Sequence, residues 1–411
     1  MRTLRILLVF LIITIFSQYS KTYGSTEDKI SSQPASVEKS LIQSNNRFGF
    51  KLFSEITGEE KDKNVFISPL SISMALTMTY NGTSGSTQEA MQKTLQLSGL
   101  TIEEVDKSYG SLIKSLTQRD PKVRFEIANS IWYRKDLIFK EEFINLNKTH
   151  FNALVNALDF NNPDAVNTIN KWVDENTNGK IKEIVKPPIS PYTVMFLIDA
   201  IYFKGTWTCE FDKKLTKDDL FALPGGSKKA CKMMVREGDF QYFENTDFQA
   251  IDLPYGDSNF SMAIFLPRPQ KSIDSLIAQF NQENWYQWID AFSKHKGTLQ
   301  VPKFTLEYEL ELNNALTKLG MGIAFTPEAD FTKIYKGPES LFISKVKHKT
   351  FVKVDEEGTE AAAVTSVEVG ITSAGPSGFF MRVDRPFVFM IRENKLGGII
   401  FMGKIIEPTF K

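Results

Sequence analysis

The side chains able to do chemistry are few, and their spacing argues against catalysis. The chain holds three histidines, His150, His295 and His348, and two cysteines, Cys209 and Cys231. It has no HExxH zinc pair, no phosphate-cradling P-loop, no GxGxxG turn and no GxSxG nucleophile elbow. Gly82-Thr83-Ser84-Gly85 lacks a glycine two residues beyond the serine, which an elbow requires. Asp355-Glu356-Glu357 has the residue types of a metal site, but no second ligand pattern accompanies it. It reads as the solvated end of a strand. No catalytic residue, metal or cofactor is assigned, and nothing supports reading the chain as an enzyme.

A different kind of chemistry is written in residues 358–377. From Gly358 the alternate positions Thr359, Ala361, Ala363, Thr365, Val367 and Val369 are small or β-branched, while Glu360, Ser366 and Glu368 fall in the other set. That is the period of a strand with one face fit for burial. The run enters Gly370-Ile371-Thr372-Ser373-Ala374-Gly375-Pro376-Ser377-Gly378, a loop by composition. Small residues suit a strand that must slide into a tight slot. Patterning alone favours an ordinary strand followed by an ordinary loop.

The rest of the chain must position that segment. Of 411 residues 42% are hydrophobic, with 33 phenylalanines, so an aromatic-rich globular core is expected. Basic and acidic residues cancel at 49 each. A balanced chain lacks the basic excess that nucleic acid or an acidic membrane surface demands. Arg2 and Arg5 precede the apolar run Ile6–Phe16 and the small-x-small site Thr22-Tyr23-Gly24, the pattern of a signal peptide over 1–24. The expected mature chain starts at Ser25 and is secreted, with no membrane span. Secretion would let Cys209 and Cys231 form a disulfide, and two separate thiols fit equally well. Asn81, Asn147 and Asn259 head N-glycosylation sequons, with Asn147 favoured by its polar surroundings.

Helical spacing of Leu41, Phe48, Leu52 and Ile56 predicts an amphipathic first helix. Ser68-Pro69 predicts the start of a second, apolar on most faces and hence buried, ending at Asn81-Gly82. Phe125–Tyr133 and Val194–Phe203 read as strands, the second interior, and Leu312–Leu319 as a helix closed by Gly320. Phe387–Ile391 and Ile399–Ile406 flank a polar turn as a hairpin. Helices cluster early and strands late without repeats or linkers, which argues for one large α+β domain over 25–411.

Against this background Gly358-Thr359-Glu360-Ala361-Ala362-Ala363 closely resembles the hinge of the serpin family. Asn64–Ser73 resembles the start of that family's shutter helix, bringing in Ser68 and Ser71. Tyr202-Phe203-Lys204-Gly205-Thr206-Trp207 resembles its breach strand, with Trp207 as the typical tryptophan. Pro302-Lys303-Phe304, Leu319-Gly320, Ala329-Asp330-Phe331, Arg385-Pro386-Phe387 and Phe401-Met402-Gly403-Lys404 match further landmarks in order, so the resemblance covers essentially the whole mature chain.

The resemblance implies a fold with a main mixed sheet, further sheets and surrounding helices, and an exposed reactive-centre loop over 358–378. It also implies a suicide mechanism. A protease cuts the loop, and the freed hinge inserts into the main sheet as a new strand, trapping the acyl-enzyme. A ladder of bonds, each worth about 0.5–1.5 kcal/mol net, would release on the order of tens of kcal/mol. Family spacing puts the cut between Thr372 and Ser373. Small apolar neighbours favour an elastase-like serine protease, with a chymotrypsin-like one as second choice, acting on a monomeric inhibitor. The runner-up is a non-inhibitory ligand carrier or partner-binding protein. The helical region 101–119 mixes acids and bases, so no strong heparin site is expected; Lys345, Lys347, Lys349 and Lys353 make at most a weak patch. Where the family usually has asparagine this chain has Asp199. A carboxylate beside the shutter histidine, His348, would favour the imidazolium and predicts a pH-sensitive latch.

Overall fold

The computed structural model describes residues 37–337, 340–359 and 378–410. Residues 37–59 form helix α1, whose Leu41, Phe48, Leu52 and Ile56 stripe is fully buried, as their spacing requires. β1 (Val65–Ile67) runs into α2 (Pro69–Tyr80). Ser68 caps α2 by accepting the Ser71 amide at 3.2 Å, and Pro69 occupies the first turn, where its missing N–H costs nothing. Every residue of α2 except Ala75 is buried, so this is the central helix.

There follow α3 (Gly85–Thr94), α4 (Ile102–Thr117), β2 (Val123–Arg134), α5 (Glu141–Phe151), β3 (Leu154–Leu158), α6 (Asp164–Asn176) and β4 (Met195–Thr206). A capping box between Thr101 and Glu104 opens α4. Strands then take over: β5 (Lys217–Ala222), β6 (Lys228–Glu244), β7 (Phe248–Tyr255) and β8 (Phe260–Pro267). Helices α7 (Ile273–Ile277) and α8 (Gln282–Ala291) precede β9 (Ser293–Pro302) and β10 (Phe304–Glu311). The predicted helix at 312–319 is a short turn, α9 (Asn313–Leu316), prolonged by a wider turn in which Gly320 takes φ +107°, a left-handed conformation that ends it. The chain closes with β11 (Lys347–Val354), β12 (Gly358–Thr359), β13 (Phe379–Arg382), β14 (Phe387–Glu393) and β15 (Ile399–Ile405).

Two mixed sheets result, the α+β architecture the sequence predicts. A nine-stranded sheet runs β1-β15-β14-β8-β7-β6-β9-β13, with β5 also on β6. The six-stranded sheet runs β10-β11-β12-β4-β2-β3. In both, one edge strand is parallel to its neighbour: β13 to β9 and β3 to β2. β8, β14 and β15 are buried along their whole length, and the core is aromatic, with Phe66 stacked on Phe401 at 5.1 Å and on Phe389 at 5.6 Å. The predicted 387–406 hairpin is β14–β15. β4 is interior by sheet order, yet seven of its twelve residues are only partly buried. No described helix is long and apolar enough to cross a membrane. Residues 1–24 and the secretion they predict fall outside the described residues.

Candidate functional site

The distinctive feature of the six-stranded sheet is a two-residue strand in its middle. Gly358 pairs with Thr206 and Thr359 with Gly205 on β4, while Thr359 also faces Val354 on β11. A Cβ on Gly358 would lie 2.1 Å from the Gly205 carbonyl oxygen, so only glycine admits this approach. Thr359 is buried, and its hydroxyl is 2.5 Å from that of Tyr255. Tyr255 in turn stacks on Trp207, centroids 4.4 Å apart and planes 14° from parallel. The Trp207 indole N–H donates to the Asp355 carbonyl at 2.9 Å and its amide donates to the Glu357 carbonyl, also at 2.9 Å. Gly358 and Thr359, the start of the segment expected to act as a hinge, are thus built into the sheet, under an aromatic clamp.

The acidic run before the hinge corrects one expectation. Asp355, Glu356 and Glu357 are buried rather than solvated. Lys303 bridges Glu356 at 2.7 Å, the Thr216 hydroxyl donates to the same carboxylate, and Lys213 bridges Glu357. Burial pushes Glu356 up, but the bonds from Lys303 and Thr216 outweigh it and hold its carboxyl below the usual range. Burial also raises Asp355. Three carboxylates can sit here because partners distant in sequence neutralise two of them.

Below the hinge lies a polar group around α2. The Ser68 amide donates to His348 Nε2 at 3.0 Å, and the Ser68 hydroxyl donates to the Ile400 carbonyl at 2.8 Å. The Ser71 hydroxyl donates to the Asp199 backbone carbonyl at 3.4 Å, and Thr350 donates to the Phe66 carbonyl at 2.6 Å. The expected Asp199–His348 latch is not formed. His348 acts as a neutral acceptor for Ser68, and burial with no nearby anion drives its pKa down to about 3, opposite to the predicted rise. Both Asp199 carboxylate oxygens are buried without a partner.

Other predicted positions are placed as follows. Cys209 is exposed after Trp207, and Cys231 lies partly buried in β6 opposite Asp219; both are free thiols, so the disulfide is not formed. Cys231 is packed toward the core, which pushes its thiol up to about 11. Asn147, the favoured sequon, is fully buried, with its Nδ2 donating to the Phe143 carbonyl at 2.9 Å, so it cannot carry a glycan in this fold. Asn81 is buried against Asp106. Asn259 alone of the three is partly exposed. Lys345, Lys349 and Lys353 each pair with acids, so they form no cationic stripe. Glu360, Ala361, Ala362, Ala363, Thr365, Thr372 and Ser373 lie outside the described residues. Tyr255 was not anticipated: in sequence it is one more aromatic in an apolar strand, and only the three-dimensional pairing brings it to Thr359.

Comparison with known proteins agrees with this arrangement. A family model described as Serpin (serine protease inhibitor) matches residues 43–408. Neuroserpin of Homo sapiens is 32% identical over 367 residues, which are 87% of this chain and 89% of the relative. The leukocyte elastase inhibitor of Homo sapiens is 33% identical over 380 residues, covering 90% and 99%. Among solved structures, human thyroxine-binding globulin complexed with its hormone superposes with a TM-score of 0.82 at 29% identity, covering 91% of this chain and all of that one.

Proposed function

The chain belongs to the serpin family, and on that premise we propose that it is a secreted suicide inhibitor of serine proteases. Serpins as a family inhibit proteases and are not catalysts. The observation that carries the inhibitory reading is the register of β12. Antiparallel pairing from Thr359 onward would set Ala361 between Phe203 and Val352, Ala363 between Ile201 and Thr350, and Thr365 between Asp199 and His348. Each slot opens toward the buried face of β11, and each arriving side chain is small and uncharged. A large or charged side chain there would cost several kcal/mol.

The proposed cut lies between Thr372 and Ser373, with an elastase-like protease as target; Val369, Gly370, Ile371 and Ala374 suit a shallow apolar pocket. The relationship to a leukocyte elastase inhibitor supports this choice. The signal-peptide pattern over 1–24 supports secretion, and Asn259 is the sequon whose surroundings best admit a glycan. Likeness to thyroxine-binding globulin keeps a carrier as the second reading. Incubation with an elastase, a chymotrypsin and a trypsin, followed by a denaturing gel, separates them. The inhibitor gives an SDS-resistant band at the summed mass less the released peptide, which starts at Ser373. A carrier is cut without forming that band.

A further inference from the structure

Asp199 on β4 lies directly opposite Asn129 on β2. Residues so paired share a face, with Cβ atoms about 4.5–5.5 Å apart. The Asn129 amide orientation is fixed, because its Nδ2 donates to the Phe151 carbonyl at 2.9 Å and only an N–H can do so. Its Oδ1 is then left buried with no partner, as are both carboxylate oxygens of Asp199. Three buried acceptors therefore lie on paired residues, with the Ser71 hydroxyl the one side-chain donor among the described residues that acts on the Asp199 carboxyl. Buried polar groups in folded proteins are satisfied almost without exception, and a lone buried carboxylate is the costliest kind of violation. A single proton pairs two of the three acceptors, one carboxyl oxygen with Asn129 Oδ1, and the carboxyl also draws on the Ser71 hydroxyl.

We propose that Asp199 is held as the neutral acid at neutral pH and donates its proton to Asn129 Oδ1, locking β2 to β4 above α2. The groups around it leave no alternative source of charge balance. From α2 the Ser71 hydroxyl donates to the Asp199 backbone carbonyl at 3.4 Å and also acts on the carboxyl, but it is neutral and supplies no charge. From α4 comes Tyr109, bonded to Ser73 and Asn45 and pushed up to about 12 by burial. From β11 comes His348, neutral and committed to Ser68. His150, at the end of α5, acts on Asp106 instead. Among the described residues no cation acts on the Asp199 carboxyl, which burial pushes up to about 8 against the smaller lowering effect of the Ser71 hydroxyl.

The sign of the pH effect follows. An unfolded aspartate loses its proton near 3.8, whereas the folded chain keeps it until about 8. Between those values the folded state holds the extra proton, so stability falls as pH rises and levels off above about 8. His348 opposes this only below its unfolded value of 6.5. Asp106, raised by burial to about 6, adds to the fall at the low end but does so equally in an Asp199 variant, so the interval from about pH 6.5 to about 8.5 reads Asp199 by difference. Loss of the lock would loosen β4 beside the place where β12 enters the sheet. The inference needs the fold and not the inhibitory reading, so its failure would leave that reading untouched.

The test uses the intact chain and Asp199→Asn, whose amide donates at every pH. Over about pH 6.5 to about 8.5 the wild-type Tm should fall by roughly a few degrees more than that of the variant. Parallel profiles would overturn the proposal. A second readout works on the wild type itself: at neutral pH the infrared spectrum should carry the carbonyl stretch of a hydrogen-bonded carboxylic acid. That band should move to higher frequency in Asn129→Leu. A band unmoved by Asn129→Leu would overturn the proposal even if Asp199→Asn did not fold.

Discussion

The hydroxyl of Tyr255 meets that of Thr359 at 2.5 Å, across a separation of 104 residues. It joins β7, beneath the clamp, to the second residue of the proposed hinge, where β12 enters the sheet. Tyr255→Phe keeps the ring stacked on Trp207 and removes only this bond. Native stability should drop by about 0.5–1.5 kcal/mol, read as a lower midpoint of chemical unfolding.

Thr359 itself is the stricter test of the slot. Thr359→Arg would place an unpaired guanidinium in a buried position between β11 and β4. The cleaved variant should fail to complete insertion, so it should partition to a cut and released product. Densitometry of complex against cleaved chain measures this, and the complex fraction should fall at least tenfold.

Lys303 is predicted to matter more than a surface lysine. Its bridge to Glu356 is largely shielded, at 16% and 6% exposure, and removing one partner leaves the other charge stranded. Lys303→Met should cost about 3–5 kcal/mol, and the double variant Lys303→Met with Glu356→Leu should recover much of it. Unfolding midpoints of the three variants give the coupling directly.

Much of this architecture was legible in the chain. The cap at Ser68-Pro69, the buried α2 and the β14–β15 hairpin follow from local patterns, whereas the hinge is read from its resemblance to the family's and not from the alternating small residues. Asp355 to Glu357 were misread because their neutralising partners Lys213 and Lys303 come from other parts of the chain. Asn147 was misjudged from its polar neighbours, although Phe143, Asn147 and Phe151 recur every four residues and so share the inner face of α5. The protonation of His348 could not be read locally, since Ser68 and its enclosure decide it.

His348 gives an acid-side prediction. Its folded pKa, driven down to about 3 by burial, lies below the unfolded 6.5, so the unfolded chain binds the proton first. Its contribution is full above about 6.5 and is lost as pH falls toward about 3. His348→Gln, which keeps an acceptor for the Ser68 amide, should flatten the fall in Tm over that window relative to wild type.

The central claim is that the hinge completes the six-stranded sheet once the loop is cut. Thermal unfolding of the intact chain and of the chain nicked between Gly358 and Phe379 tests it most directly. Full insertion adds hydrogen bonds to both β4 and β11, so the nicked protein should melt far above the intact one. An unchanged or lower Tm after nicking would contradict the account.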